Sequence, residues 1–336
     1  MRLAVLAHEK FPDHAKTAVG LLRYGDHEVR AVLDRDLAGD RVHDHLPDVQ
    51  DAPIVASMDD APEVDALLVG ISPIGGGFDE SWRSDVRTAI ERGCDVWSGL
   101  HFFLAEDEEF ADLAADHGVE LWDIRKPPED LTVAQGTAGD VDARVVTTVG
   151  TDCSTGKMTA SYELRDAARE RGIDAEVVPT GQTGVAISGW GIVVDRVIAD
   201  YAAGAVERLV QTPEDADLLI VEGQGALAHP AYSGVTTSIL HGSAPDALVL
   251  CHELDHQVIR GYESVAIPPL DEYVELYERL SDPVADASVV AGMLNTRTFG
   301  ESTAEDAVAT YGDAIDAPAT DPVRFGVPDD VLDAIL

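Results

Sequence analysis

Near the middle of the chain, a run of small and polar residues has the types and spacing needed to hold an anion. Gly150, Thr151, Asp152, Cys153, Ser154, Thr155, Gly156, Lys157, Met158 and Thr159 follow the apolar, β-branched run at 145–149. They lead into a helical pattern through Tyr162, Leu164, Ala167 and Ala168 that stops at Gly172. Glycines let backbone N–H groups converge on an anion, a helix N-terminus adds its positive end, and Lys157 supplies a point charge. These are the ingredients of a phosphate cradle. Two departures from the common motif matter. Five residues separate Gly150 from Gly156 where four are usual, and Met158 stands where a Ser or Thr would bind magnesium.

A second chemical signal follows the very apolar run 218–221, which ends in Glu222-Gly223-Gln224-Gly225. Phosphate-binding folds place a metal- or water-directing carboxylate after such a buried strand. The plainer alternative is a turn acid capping a neighbouring helix, but glycines on both sides of Gln224 favour a close backbone approach to a ligand. The polar glycine loop at 180–184, containing Gln182, reads as a further site-lining turn. His252 and His256 have helix-like spacing but lack a third spaced ligand, so they read as polar surface and no metal is assigned.

In the first part of the chain, residues 7–12 follow the first strand without the G-x-G-x-x-G that a dinucleotide fold would place there. Asp34, at the end of the second strand, would suit a ribose, but alone it does not make a nicotinamide site. The chain holds only four lysines (Lys10, Lys16, Lys126 and Lys157) against 19 arginines, so each retained lysine is a stronger functional candidate than usual. Lys16, Arg23, Arg125 and Lys126 are candidate partners for an anionic substrate, and His101, after Gly99-Leu100, is a candidate contact. His229, just past the Glu222 loop, is placed to reach the same site.

The elements that must position these residues alternate. In the first part, strands at 3–7, 28–33, 64–71, 95–98 and 119–124 interleave with helices at 15–24, 82–92 and 105–117, with the glycines 75–77 after the third strand. A polar, proline-bearing stretch follows. From 144 the alternation restarts, with strands at 145–149, 175–179, 218–221, 247–251 and 288–294 and helices near 194–210, 270–280 and 304–311. The expected architecture is α/β, with two tandem domains: a Rossmann-like parallel sheet at 1–130, a linker at 131–143 and a phosphate-loop parallel sheet at 144–336.

Composition narrows the setting. The 336 residues are 45% hydrophobic and carry 63 acidic against 23 basic side chains, a net charge of −40. In molar salt the Debye length falls to roughly 3 Å and such self-repulsion largely vanishes. The acids are spread along the chain rather than gathered in a tail, so they point to the salt-rich cytoplasm of a halophile. The same field argues against nucleic-acid binding. No run of 18 apolar residues is present, and three scattered cysteines give no disulfide frame. A soluble protein without membrane association, forming a homo-oligomer and acting on a small molecule, is expected.

The 150–159 run resembles the phosphate loop of dethiobiotin synthetase and its relatives, which share the five-residue spacing but have Thr directly after Gly-Lys. A resemblance over nearly the whole chain rests on the segments 16–24, 99–101, 150–159, 221–225, 294–296 and 319–324. Together they are similar to a family catalogued as a domain of unknown function, with a Rossmann-like N-terminal and a phosphate-loop C-terminal domain. Members are described as D-glutamate N-acetyltransferases that act with a partner enzyme of the dipeptide-epimerase type. The resemblance implies acetyl-CoA as donor, its phosphates held by 150–159, and an acidic amino acid as acceptor. Glutamate's carboxylates would need cations such as Lys16, Arg23, Arg125 and Lys126. Glu222, His101 or His229 could take the ammonium proton, and Gln182, Gln224 or Asn295 could donate to a developing oxyanion. Lys157 would serve both binding and catalysis. The alternatives are an ATP- and magnesium-dependent ligase or kinase-like enzyme using Lys157, Thr159 and Glu222, or a nucleotide-binding regulator without turnover.

Overall fold

The computed structural model describes residues 1–71 and 76–336. It divides into two compact units, Met1–Pro127 with Gln182–Val193, and Pro128–Gly181 with Val194–Leu336. Each is built on a six-stranded, all-parallel sheet.

In the first unit the elements run β1 (Arg2–Leu6), α1 (Lys16–Tyr24), β2 (Glu28–Leu33), β3 (Ile54–Val55), β4 (Ala66–Val69), α2 (Arg83–Glu91), β5 (Asp95–Ser98), α3 (Glu108–His117) and β6 (Leu121–Asp123). Their order across the sheet is β3-β2-β1-β4-β5-β6. The winding direction therefore reverses between β1 and β4, the point in an open α/β sheet where ligands bind beyond the strand ends. The apolar runs Leu3–Leu6 and Ala66–Val69 are fully buried because parallel strands are covered on both faces. A Cβ on Gly70 would overlap Val5 and touch Ala18, and the bare glycine lets α1 dock with Ala18 N–H donating to Gly70 O at 2.9 Å. Of the glycine run 75–77, Gly75 lies outside the described residues.

The second unit begins with β7 (Arg144–Gly150), α4 (Lys157–Glu170) and β8 (Ala175–Val178). The chain then passes into the first unit as α5 (Gln182–Ser188), which packs on α1. The second unit resumes with α6 (Ala199–Val210), β9 (Leu218–Val221), α7 (Ser233–Ser243), β10 (Ala247–Glu253), β11 (Val258–Ile259), β12 (Tyr262–Ala266) and α8 (Leu270–Ser281). It ends with β13 (Ser288–Asn295), α9 (Glu301–Ile315), β14 (Ala319–Thr320), α10 (Pro322–Phe325) and α11 (Asp329–Ile335). The sheet order is β14-β13-β10-β7-β9-β8, with β11 and β12 forming a separate antiparallel hairpin. Side chains alternate across the sheet. Val146, Val249 and Cys251 face Leu164 of α4 and Val331 and Ile335 of α11, while Leu248 and Leu250 face Tyr273, Tyr277, Tyr311 and Ile315. Because β7 lies between β10 and β9, the loop after β7 is flanked by the loops that leave both neighbours.

Two stretches differ from their sequence readings. The 180–184 segment is not a plain turn: the helix α5 starts at Gln182, its buried Thr183 hydroxyl 2.9 Å from that of Thr17. The 194–210 helix is a short 3₁₀ turn at Val194–Arg196 followed by α6. The stretch 131–143 is fastened to α6, with Gln135 N–H and Thr137 N–H each donating to Glu207 at 2.7 Å. Among the described residues, no helix is long and apolar enough to cross a membrane.

Candidate phosphate-binding site

The loop at 150–156 turns from the end of β7 into α4 with two residues in the left-handed region. They are Gly156 at φ 103°, a conformation that glycine adopts without strain, and the exposed Ser154 at φ 57°. Lys157 and Met158 start α4 and are both buried. The ammonium of Lys157 donates to Asp152 O at 2.7 Å and lies 3.5 Å from Thr155 Oγ1. A Cβ on Gly150 would come within 2.8 Å of that ammonium and 2.7 Å of the Thr155 hydroxyl, so the glycine leaves the space in which the lysine folds over the loop. Met158 brings no hydroxyl to the first turn, and Thr159 sits half-buried one position further on.

The loop is supported by residues whose roles the sequence did not disclose. From α8, Tyr277 OH donates to Gly150 O at 2.7 Å and Tyr273 OH donates to Thr151 O at 2.9 Å. Burial pushes the Tyr273 phenol up to about 12, so it remains a donor at any working pH. Near the end of β10, His252 Nδ1 is 2.8 Å from Thr151 Oγ1, and beyond the strand His256 Nε2 donates to Asp152 Oδ2 at 2.7 Å and Arg260 N–H donates to the same oxygen at 2.8 Å. Cys153 N–H donates to Asp152 Oδ1 at 2.7 Å, and the Arg260 guanidinium donates to Cys153 O at 2.6 Å. The sequence reading of His252 and His256 as polar surface is therefore corrected: both hold the loop. The i, i+4 tyrosines on the buried face of α8 were the visible signal, but only the adjacency of β10 and β7 reveals their target.

Asp152 is fully buried, and burial alone would raise its carboxyl. The donors from His256, Arg260 and Cys153 outweigh that and hold it below the ordinary carboxylate value. His252 moves the other way for a base: burial, reinforced by the nearby His256, pushes it down from 6.5 to about 4. The folded protein thus keeps His252 neutral while the unfolded chain protonates it. Its contribution to stability is full above about pH 6.5 and lost as pH falls towards 4, a linkage on the order of 2 kcal/mol for a partly accessible ring. A His252→Gln variant is expected to lose less stability than the native protein between pH 7.5 and 5 in urea melts at fixed salt. Parallel pH dependences in the two proteins would contradict this.

The Glu222 loop closes against the end of β8. Glu222 is buried, with Oε2 accepting from Gly181 N–H at 3.2 Å, and Thr180 Oγ1 donates to Glu222 O at 2.5 Å. The Gln224 amide donates to Thr180 O and reaches Thr180 Oγ1 at 3.3 Å. Gln224 therefore fastens one loop to the other through its amide nitrogen. Asn295 ends β13 and accepts from Arg297 N–H at 3.2 Å, closing its own turn.

The remaining candidates lie in the first unit. Lys16 opens α1, His101 follows β5, Arg125 and Lys126 follow β6, and Gln182 stands against Gly99. All are at the carboxyl ends of parallel strands or on elements packed there. Lys16 and Lys126 are exposed, while Arg125 is buried and its Nε donates to Gly99 O at 2.6 Å. His101 N–H donates to Gly76 O at 2.9 Å, and the ring lies so close that a Cβ on Gly76 would overlap it. Arg23 is not brought to this group: it falls in the last turn of α1, at the opposite end of the helix from Lys16. Asp34 accepts from the N–H groups of Phe11, Asp36 and Leu37 and so is used within its own loop.

Asp152, Cys153 and His229 bring an oxygen, a sulfur and a nitrogen within 4.8 Å of one another, the spacing of a candidate cation site. The group does not fit a metal. Both Asp152 oxygens already accept hydrogen bonds, and His229 Nδ1 accepts from Ala231 N–H at 3.1 Å, which leaves the proton of a neutral ring on the nitrogen nearer Asp152.

Comparison with known proteins agrees with this architecture. A family model described as a Rossmann-like domain of unknown function matches residues 35–127, and one described as a P-loop domain of unknown function matches residues 132–332. A D-glutamate N-acetyltransferase from a Pseudoalteromonas species is 38% identical over 264 residues, 78% of each chain. One from Tritonibacter scottomollicae is 36% identical over 261 residues, 77% of this chain and 78% of its own. The crystal structure of a DUF1611 family protein from Anabaena variabilis, 38% identical, superposes with a TM-score of 0.93 over 99% of this chain and 98% of that one. With both domain models matched in order and relatives of this similarity, the chain belongs to the DUF1611 family.

Proposed function

We propose that this protein is an N-acetyltransferase that moves an acetyl group from acetyl-CoA to the amine of D-glutamate. The observation that carries the reading is the phosphate loop with Met158 buried in its first helical turn. Such a loop offers backbone N–H groups and Lys157 to the phosphates of coenzyme A while lacking the hydroxyl that ATP-dependent relatives use for magnesium. The two relatives named D-glutamate N-acetyltransferase supply the acceptor and the reaction class.

In this reaction the glutamate ammonium first gives up a proton to a base. The free amine attacks the thioester carbonyl, the C–S bond breaks, and the leaving thiolate takes up a proton as the new amide nitrogen loses its second one. Glu222 is our assignment for the base, its buried carboxylate standing at the end of β9 beside the phosphate loop. Within the first unit, Arg125 with Lys16 and Lys126 gathers cations at one sheet edge, and their chemistry suits carboxylates. Incubation with acetyl-CoA and D-glutamate is expected to yield N-acetyl-D-glutamate by mass spectrometry, with L-glutamate a poorer acceptor. Product from L-glutamate alone would overturn the choice of substrate.

The charge of −40 also fits a working environment of high salt. Screening of acid–acid repulsion predicts that the thermal midpoint rises between 0.2 and 2 M KCl. A flat or falling midpoint over that range would remove the halophilic reading.

A further inference from the structure

His229 lies between β9 and α7, is 2% exposed, and was one of the candidate bases. Its surroundings favour a donor instead. Nδ1 accepts from Ala231 N–H at 3.1 Å, so the single proton of the neutral ring resides on Nε2. Tyr232 packs against the ring at 4.5 Å between centroids and Tyr262 meets it edge-on at 5.2 Å, which fixes its plane. Nε2 makes no hydrogen bond among the described residues. It faces Asp152 Oδ1 at 4.0 Å, beyond hydrogen-bond reach, on the side of the phosphate loop where Cys153 Sγ also lies. The residue as a whole is 2% exposed, yet Nε2 is not among the fully buried unpaired side-chain atoms, so this donor faces accessible space beside the loop, where a ligand's acceptor can reach it.

We propose that His229 donates its Nε2–H to a phosphate oxygen of the ligand held by the Gly150–Lys157 loop, acting as a positioning residue. The inference rests on the proposed function only in requiring a phosphate-bearing ligand at this loop. Coenzyme A and a nucleotide offer the same phosphoryl oxygens. The charged and titratable groups facing the ring are Asp152, Cys153, Lys157, Tyr232 and Tyr262. Burial lowers the ring's affinity for a second proton and Lys157 adds to this, while Asp152 opposes them in part. The neutral donor is thus retained near pH 7, and a neutral donor does not repel Lys157 as an imidazolium would.

The test compares the native protein with His229→Gln, which keeps an N–H at the position of Nε2 but has no basic nitrogen, and His229→Leu, which has neither. Titration calorimetry in 2 M KCl with CoA, and separately with ATP, is expected to show His229→Gln within about threefold of native affinity and His229→Leu weakened about tenfold or more. In ¹⁵N spectra of the native protein at pH 7, Nε2 should carry the proton and its signal should shift on ligand binding. Equal losses in the two variants, or a proton on Nδ1, would overturn the proposal. Binding of ATP but not CoA, with the same variant ranking, would uphold the donor role while removing the acetyl-CoA reading. Failure of native protein to bind either ligand would remove both.

Discussion

Under the proposed function, replacing Lys157 with Met will weaken acetyl-CoA binding by about 10- to 100-fold and leave the fold intact. Lys157 is buried in the first turn of α4, and its ammonium bonds to the Asp152 carbonyl, a neutral acceptor that it can exchange for a phosphate. A charge-assisted hydrogen bond to such a partner is worth about 1.5–3 kcal/mol, which sets the expected factor. Met has nearly the same length and removes a buried cation, so the unfolding midpoint should stay level or rise slightly. Lys16→Met is the control: that lysine is exposed in the first unit, and its loss should affect the Michaelis constant for glutamate more than that for the donor. Calorimetry with CoA and a thermal melt decide the matter. Unchanged CoA affinity in Lys157→Met would refute the phosphate-loop assignment itself.

The second large effect is expected at Gly223, where the cost falls on the fold. A Cβ there would overlap the Thr148 carbonyl oxygen of the central strand β7 and press on the Lys157 side chain at 3.3 Å. The Gly223 N–H also donates to the Thr148 hydroxyl at 3.0 Å, so the close approach is bonded as well as steric. Because the opposing atom is backbone, it cannot swing away. Gly223→Ala should therefore destabilise the protein by more than about 3 kcal/mol and weaken ligand binding. Gly234→Ala, at the start of α7, meets nothing within 4 Å and should be neutral or mildly stabilising. Urea midpoints for the pair provide the comparison, and similar midpoints would show that the Glu222 loop can move away from the Thr148 carbonyl.

The strands were legible in the sequence because all-parallel strands are covered on both faces and read as continuous apolar runs. Residues 218–221 and 288–294 fall within a residue of β9 and β13. α7 was not legible. Its Ser, Thr and Gly content gives a weak helical tendency, and it forms because it docks on α6, with bare Gly242 against the Ala203 carbonyl. The start of α5 read as a turn for the same reason, its Gln-Thr-Gly being held in a helix by packing on α1.

At the site, the sequence revealed the residues that form the phosphate loop but not those that hold it. Tyr273, Tyr277, His252, His256 and Arg260 come from about a hundred residues downstream, and only the pairing of β7 with β10 makes them neighbours of the loop. Conversely, Gln224 looked free to donate in the sequence but spends its amide on Thr180. Side-chain type shows what a residue can bond, while the fold determines which partner reaches it first.

On the proposed function the loop serves an acetyl donor and not ATP hydrolysis. The most direct measurement follows free thiol from acetyl-CoA and, in parallel, phosphate from Mg-ATP, both with D-glutamate in molar KCl. Thiol release that depends on D-glutamate, with no phosphate release, is the predicted result. Phosphate release that depends on an amine or carboxylate substrate, with no thiol appearing, would contradict it.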